Sequence, residues 1–183
     1  MQSNTNADDG RDVATALTGV VVRGERNMLA DTSAPGIEGA RAALETFYYA
    51  FNTRSLDLYQ RIWAYDPLVQ LYSPVGGLVR GSASIAALSE RMFSGSARVQ
   101  TVVEDIVAYV SPDLVVFTGR EHGAYTTDTP EGEREVTSGL SEVRSICIFR
   151  FVATQGGWRQ VYHHVSLSDP DQLARYQHAV RGG

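Results

Sequence analysis

The apolar positions of this chain change period near its middle. From Ile37 to Phe51 they recur every three or four residues, at Ile37, Ala40, Ala43, Leu44, Phe47, Tyr48 and Phe51, which predicts an amphipathic helix. Ser55 is placed to cap a second, shorter helix with Leu58, Ile62 and Trp63 on one side, ended by Pro67. Leu68–Ser73 and Leu78–Arg80 predict a hairpin about the turn Pro74-Val75-Gly76-Gly77. Gly81-Ser82 opens a third helix, with Ser82 as N-cap and Ile85, Leu88, Met92 and Phe93 as its inner stripe, closed by Gly95. Beyond Gly95 the period falls to two. Val99–Val110, Leu114–Tyr125, Leu140–Val152 and Trp158–Leu167 read as four long strands in a meander. Thr126–Thr137 is polar and reads as an exposed tip, and Asp169-Pro170 introduces a last helix over Asp171–Val180. Helices followed by a run of antiparallel strands predict an α+β domain with helices covering one face of a curved sheet. Residues 1–35 read as an N-terminal extension, mobile or folded as a helix on the stripe Val13, Leu17, Val20 and Val21. Residues 36–183 form the domain proper.

The last strand carries the densest chemistry. Strict alternation puts Trp158, Gln160, Tyr162, His164 and Ser166 on one face and Val161, His163 and Val165 on the other. Tyr162, His164 and Ser166 would then line one wall of a hollow, a common geometry for a ligand site. His164 reads either as an acid–base group, with one ring nitrogen held by Ser166 or Tyr162, or as a satisfied structural histidine. His163 is expected on the outer face or at a dimer contact. Arg120, His122 and Ala124 share a face by the same rule, which makes His122 a candidate for the pocket rim. Arg144 needs a carboxylate partner or an anionic ligand if it faces inward, with Glu104, Asp105 and Glu142 available by sign. Trp63, Tyr48 and Tyr72 are candidate lining residues.

Composition narrows the function classes. The net charge is −5 over 183 residues, which argues against electrostatic nucleic-acid binding. No apolar run reaches the ~18 residues a membrane span needs. All 16 cationic side chains are Arg, so no lysine Schiff base or lysine general base operates here. One cysteine, Cys147, rules out an intrachain disulfide, and its apolar surroundings suit a buried thiol. No Cys/His spacing suggests a metal site, and no cofactor is implied. The N-terminus lacks the pattern of a secretory signal, which leaves the cytoplasm as the expected compartment.

Three stretches carry a resemblance. The first is Tyr65-Asp66-Pro67-Leu68-Val69-Gln70-Leu71-Tyr72-Ser73-Pro74-Val75-Gly76-Gly77, with Arg80-Gly81 and Ile85 after it. The second is Arg144-Ser145-Ile146-Cys147-Ile148-Phe149-Arg150. The third is Gly156-Gly157-Trp158 with Tyr162-His163-His164-Val165-Ser166. In this order, over about residues 38–168, the chain resembles the nuclear-transport-factor-2-like (NTF2-like) superfamily, and within it the SnoaL-like and DUF4440-type small proteins. Its last strand is similar to that of the calmodulin-dependent kinase II association domain, with Tyr162 where relatives often carry a first His. The resemblance implies an NTF2-like cone: three N-terminal helices on a curved, mostly antiparallel sheet. It also implies a pocket for a small, mostly apolar or carbonyl-bearing ligand. A homodimer through the open sheet face is expected because a sheet covered on one side leaves another apolar face. Ketosteroid isomerases of the superfamily have a catalytic Asp where this chain has Ser73. Their oxyanion-hole Tyr falls near Phe47, one residue from Tyr48, and their second acid near Cys147. Steroid isomerisation is therefore not expected. Two further readings stay open: an acid–base cyclase, isomerase or dehydratase using His164 with Tyr162, Ser166 and Arg144, or an oligomerisation module without a ligand.

Overall fold

A computed structural model describes residues 14–73, 77–128, 134–167 and 169–181. The expected turn at 74–76, the hairpin tip at 129–133 and the first thirteen residues lie outside the described residues. In chain order the elements are β1 (Thr15–Ala16), α1 (Gly36–Asn52), α2 (Leu56–Ile62), β2 (Gln70–Ser73), β3 (Gly77–Arg80), α3 (Ser82–Ser94), β4 (Arg98–Val110), β5 (Leu114–Asp128), β6 (Arg134–Val152), β7 (Gly157–Leu167) and α4 (Pro170–Arg181). The seven strands form one sheet in the order β1-β4-β5-β6-β7-β2-β3. Every strand pairing is antiparallel except β2 with β7. The expected α+β architecture, helices on a curved and mostly antiparallel sheet, is the one observed.

The sheet bends at irregularities in its pairing, because an extra residue in one strand increases the local twist and kinks it. One lies in β4 between Glu104 and Val107, where Asp105 has φ 51. Another lies in β7. Ile148 pairs with Tyr162 and Phe149 with Gln160, so Val161 is the extra residue of a bulge. A third breaks the β5–β6 register near Gly123.

Helix α1 crosses the concave face and is buried on more than one side. Its apolar stripe, including Leu44, Phe47 and Tyr48, faces the sheet, while Glu45 and Thr46 are buried as well. The second cover is the segment before α1. Leu17 and Val20 pack on the core from the two ends of a turn at Thr18-Gly19: the Leu17 N–H donates to the Ile106 carbonyl at 2.8 Å, the Val20 N–H to the Leu17 carbonyl at 3.0 Å, and Val22 pairs with Val103. Over the described part of the stripe, Leu17 to Val21, a helix, one of the two expected states, does not form. Val20-Val21-Val22 is β-branched, and the flanking Gly19 and Gly24 have positive φ, so the local preference is extended. The strap then caps α1 from outside. Glu45 Oε1 accepts the Glu25 and Arg26 N–H groups at 2.8 and 3.1 Å, and Thr46 Oγ1 accepts the Met28 N–H at 3.0 Å.

Two expected details shift. The N-cap of α3 is Gly81, with φ 87, rather than Ser82, and a Cβ at Gly81 would lie 3.3 Å from the Pro67 carbonyl oxygen. The β5–β6 hairpin runs on to Asp128 and from Arg134, well into the stretch 126–137 expected to be an exposed hairpin tip or loop.

Candidate functional site

Between α1, α2, α3 and the concave face of the sheet lies a cavity of about 90 Å³. Phe47, Phe51, Leu71, Leu88, Met92 and Val143 give it an apolar wall. The alternation of the strands decides which other side chains share this inner face. In β5, Val115, Phe117 and Glu121 are buried in phase; in β6, Val143, Ser145, Cys147 and Phe149 are. A carboxylate, a hydroxyl and a thiol thus share the inner face with core residues, and His163 of β7 pairs directly with Cys147.

These groups form one hydrogen-bonded cluster. The Tyr48 hydroxyl donates to Glu121 Oε1 at 2.5 Å and lies 3.3 Å from Ser145 Oγ and 3.6 Å from Cys147 Sγ. His163 Nε2 lies 3.4 Å from the same Glu121 oxygen. Both members of that pair are buried, at 7% exposure for His163 and 6% for Glu121. The His163 ring also stands edge-on to Phe47, with centroids 4.8 Å apart.

The electrostatics follow from this packing. Burial alone disfavours the imidazolium, but Cys147 and the Glu121 carboxylate outweigh it and push the His163 pKa up to about 10. Burial alone likewise disfavours the Glu121 carboxylate. Hydrogen bonds from His163, Ser145 and Tyr48, with the imidazolium charge, hold its pKa below the usual glutamate value. The Tyr48 phenol is held well above its ordinary range, by burial first and then by electrostatic interaction with Cys147 and Glu121. Near neutral pH the cluster is therefore an ion pair, the Glu121 carboxylate with the imidazolium of His163, braced by a neutral phenol.

The expected site residues separate into three places. Tyr48 sits in the cluster, and His122 lines the cavity, with Nε2 2.7 Å from Glu104 Oε1. Trp63 is buried but lines a different cleft, between α2 and α3. Tyr162, His164, Ser166, Arg144 and Tyr72 do come together, but on the convex side. His164 pairs with Ile146 and with Tyr72, Tyr162 with Ile148, and Ser166 with Arg144. The His164 and Tyr72 rings meet edge-on at 4.6 Å, and the Tyr162 hydroxyl lies 3.4 Å from His164 Nδ1. None of the five lines the cavity. Arg144 is exposed, and the carboxylates Glu104 and Asp105 engage Arg120 instead.

The cause of the exchange is the bulge. Trp158 and Gln160 are fully buried, as alternation from the start of β7 requires. Val161 then adds a residue without a partner, and every later side chain changes face. His163 therefore points inward and His164 outward, the reverse of the expected arrangement. Sequence reasoning also missed Glu121. Its signal was available: it lies four residues from Phe117 and so shares the face of a core aromatic. Ser73, at the position of the isomerase aspartate, lines the cavity, so a carboxylate reaches this hollow from β5 instead.

Among the described residues no group of three or more His, Cys, Asp or Glu is arranged to hold a metal ion. No helix among them is long and apolar enough to cross a membrane.

A family model described as a SnoaL-like domain matches residues 40–170. No functionally curated protein matches the chain. Among solved structures, a provisionally assigned calcium/calmodulin-dependent protein kinase type II association domain from Thiobacillus denitrificans is 29% identical. The match covers 70% of this chain and 94% of that one, with a TM-score of 0.55. A provisionally assigned dehydratase of the NTF2-like family from Streptomyces avermitilis is 18% identical, covering 72% and 95% of the two chains with a TM-score of 0.62. An NTF2-like superfamily protein from Salmonella enterica is also 18% identical, covering 69% and 87% with a TM-score of 0.55.

Proposed function

The chain belongs to the SnoaL-like domain family, and on that footing we propose that it binds a small, mostly apolar molecule in the concave cavity, with one polar group of the ligand against Tyr48, Glu121 and His163. The observation that carries this reading is the contrast inside the cavity. A largely apolar wall ends in one buried ion pair. Burying such a pair costs several kcal/mol in desolvation, a cost that a plain hydrophobic core avoids. Among the described residues no arginine lines the cavity, so an uncharged ligand suits it better than a carboxylate. The test is native mass spectrometry of the purified protein and of its Leu88→Trp variant, which fills the hollow. A bound small molecule in the parent that is absent from the variant supports the reading. Equal mass profiles, together with no binding of cyclic ketones by the parent, would remove it.

The ion pair favours a second reading, acid–base catalysis. Glu121 is ionised and reaches the cavity surface, so it can accept a proton from carbon beside a carbonyl. The His163 imidazolium can donate to the oxygen that gains charge or leaves. The roles first expected of His164 and Tyr162 would fall to His163 and Tyr48. Deuterium exchange at the α-carbon of cyclic ketones in D2O, followed by NMR, is the check. Catalysed exchange that vanishes in Glu121→Gln supports this chemistry, whereas undiminished exchange in that variant excludes Glu121 as the base.

A further inference from the structure

A second cleft opens on the outer side of the aromatic layer that roofs the central cavity. It lies between α2 and α3, has a volume of about 180 Å³, and is lined by Tyr59, Trp63, Tyr65, Ser82, Ile85 and Ala86 among others. Among the described residues no charged side chain lines it. Tyr59 lines both spaces and separates them.

Three observations set this cleft apart from a simple packing gap. Trp63 is 3% exposed, yet its indole N–H has no hydrogen-bond partner among the described residues; it lies toward the Tyr59 hydroxyl without reaching bonding geometry. Buried donors are nearly always satisfied, so an orphan needs an explanation. Trp63 is bridged to Gln160, which is fully buried and whose Oε1 also lacks a partner among them. A donor and an acceptor on residues paired side by side are thus both unfilled, and of the two residues it is Trp63 that lines the cleft. Finally, Tyr65 is anchored by its backbone, with its N–H donating to Gln155 Oε1 at 3.0 Å and its carbonyl accepting from Gln155 Nε2 at 3.3 Å. Its ring is nevertheless 84% exposed at the cleft mouth. An aromatic ring held in place and left bare is a ready stacking surface.

We propose that the α2–α3 cleft is a second binding site, for an uncharged molecule that carries a hydroxyl on a small ring. The Trp63 N–H donates to the hydroxyl oxygen, and the Tyr65 ring covers the apolar body. A hydroxyl suits the site because its oxygen can accept from the unfilled N–H of Trp63, which lines the cleft. The uncharged lining excludes acids and amines, which would leave their charge unpaired.

The test uses benzyl alcohol as probe. Titration under tryptophan-selective excitation should give a saturable change in Trp63 emission. Trp158, the other tryptophan, is fully buried with its N–H on the Ala34 carbonyl at 3.0 Å, and serves as a silent background. Ligand-observed NMR should show binding weakened about tenfold in Trp63→Phe, the scale of one lost hydrogen bond to a buried donor. Binding should be lost in Ala86→Leu, which fills the cleft from α3, and unchanged in Glu121→Gln. The proposal is overturned by the absence of saturable binding to the parent. It is equally overturned by binding that survives Ala86→Leu but fails in Glu121→Gln, which would put the probe in the central cavity.

Discussion

His163 and His164 are neighbours in β7, and their surroundings differ completely. On the inner face, His163 meets a carboxylate, a thiol and the edge of Phe47, shielded from water. On the outer face, His164 leans on Tyr72 and Tyr162, and Tyr72 itself is 41% exposed. The inner face has polar groups that depend on one another for their charge states. The outer face also sets a histidine beside tyrosines, in a setting where water can replace any partner. Chemical identity along a strand therefore says less about a site than the phase that decides which side chains are dehydrated.

The sharpest way to break this comparison is to remove the inner imidazole. His163→Leu should leave Glu121 as a buried charge without its counterion and cost about 3–5 kcal/mol. A thermal melt that matches the parent would mean that the pair is not coupled.

Titration gives the next largest effect. His163 has its pKa raised from 6.5 to about 10, so its stabilising contribution is full below pH 6.5 and is lost as pH rises towards 10. Glu121 is shifted the other way, down from 4.5; its contribution is present above pH 4.5 and is lost as pH falls through its lowered value. Urea midpoints should therefore fall between pH 6.5 and 10, and the fall should flatten in His163→Asn. A parent midpoint constant over that range would contradict the inner-face assignment.

Tyr48→Phe removes the short hydrogen bond to Glu121 and should cost about 1–3 kcal/mol while raising the Glu121 pKa. Carbon-detected NMR titration of the carboxyl reads the second effect, and an unchanged Glu121 pKa would deny the phenol its bracing role. The smallest change is expected on the outer face. His164→Ala should alter stability by less than about 1 kcal/mol and leave cavity ligands bound. A loss as large as that of His163→Leu would erase the distinction between the faces.

Much of the architecture was legible because hydrophobic period alone specifies it. The apolar stripe of α1 and the alternation in β4 and β5 each mark the face that packs on the core. The extension of β5 and β6 beyond Tyr125 was not legible, since pairs such as Thr126 with Val136 and Asp128 with Arg134 give no apolar rhythm. The site was half legible. The last strand was the right place to look, and Tyr48 and His122 do line the hollow. What failed was phase. A bulge at Val161 leaves no mark that distinguishes it from an ordinary apolar strand residue, and a single unpaired residue exchanges the two histidines. Glu121 went unnoticed because a carboxylate within a strand reads as solvent-facing until its in-phase neighbours are counted.

The strap before α1 has a practical consequence for anyone trimming this protein to its recognisable domain. A chain beginning at residue 40, where the family match starts, would lose the Glu25 and Arg26 amides that serve Glu45, stranding a carboxylate that is 9% exposed. It would also bare Trp158 and the backbone of Gly157, whose Cβ position lies 2.3 Å from the Thr32 carbonyl oxygen in the intact fold. Such a shortened polypeptide should aggregate or melt early, and assays run on it would report on a damaged shell instead of on the hollow it encloses.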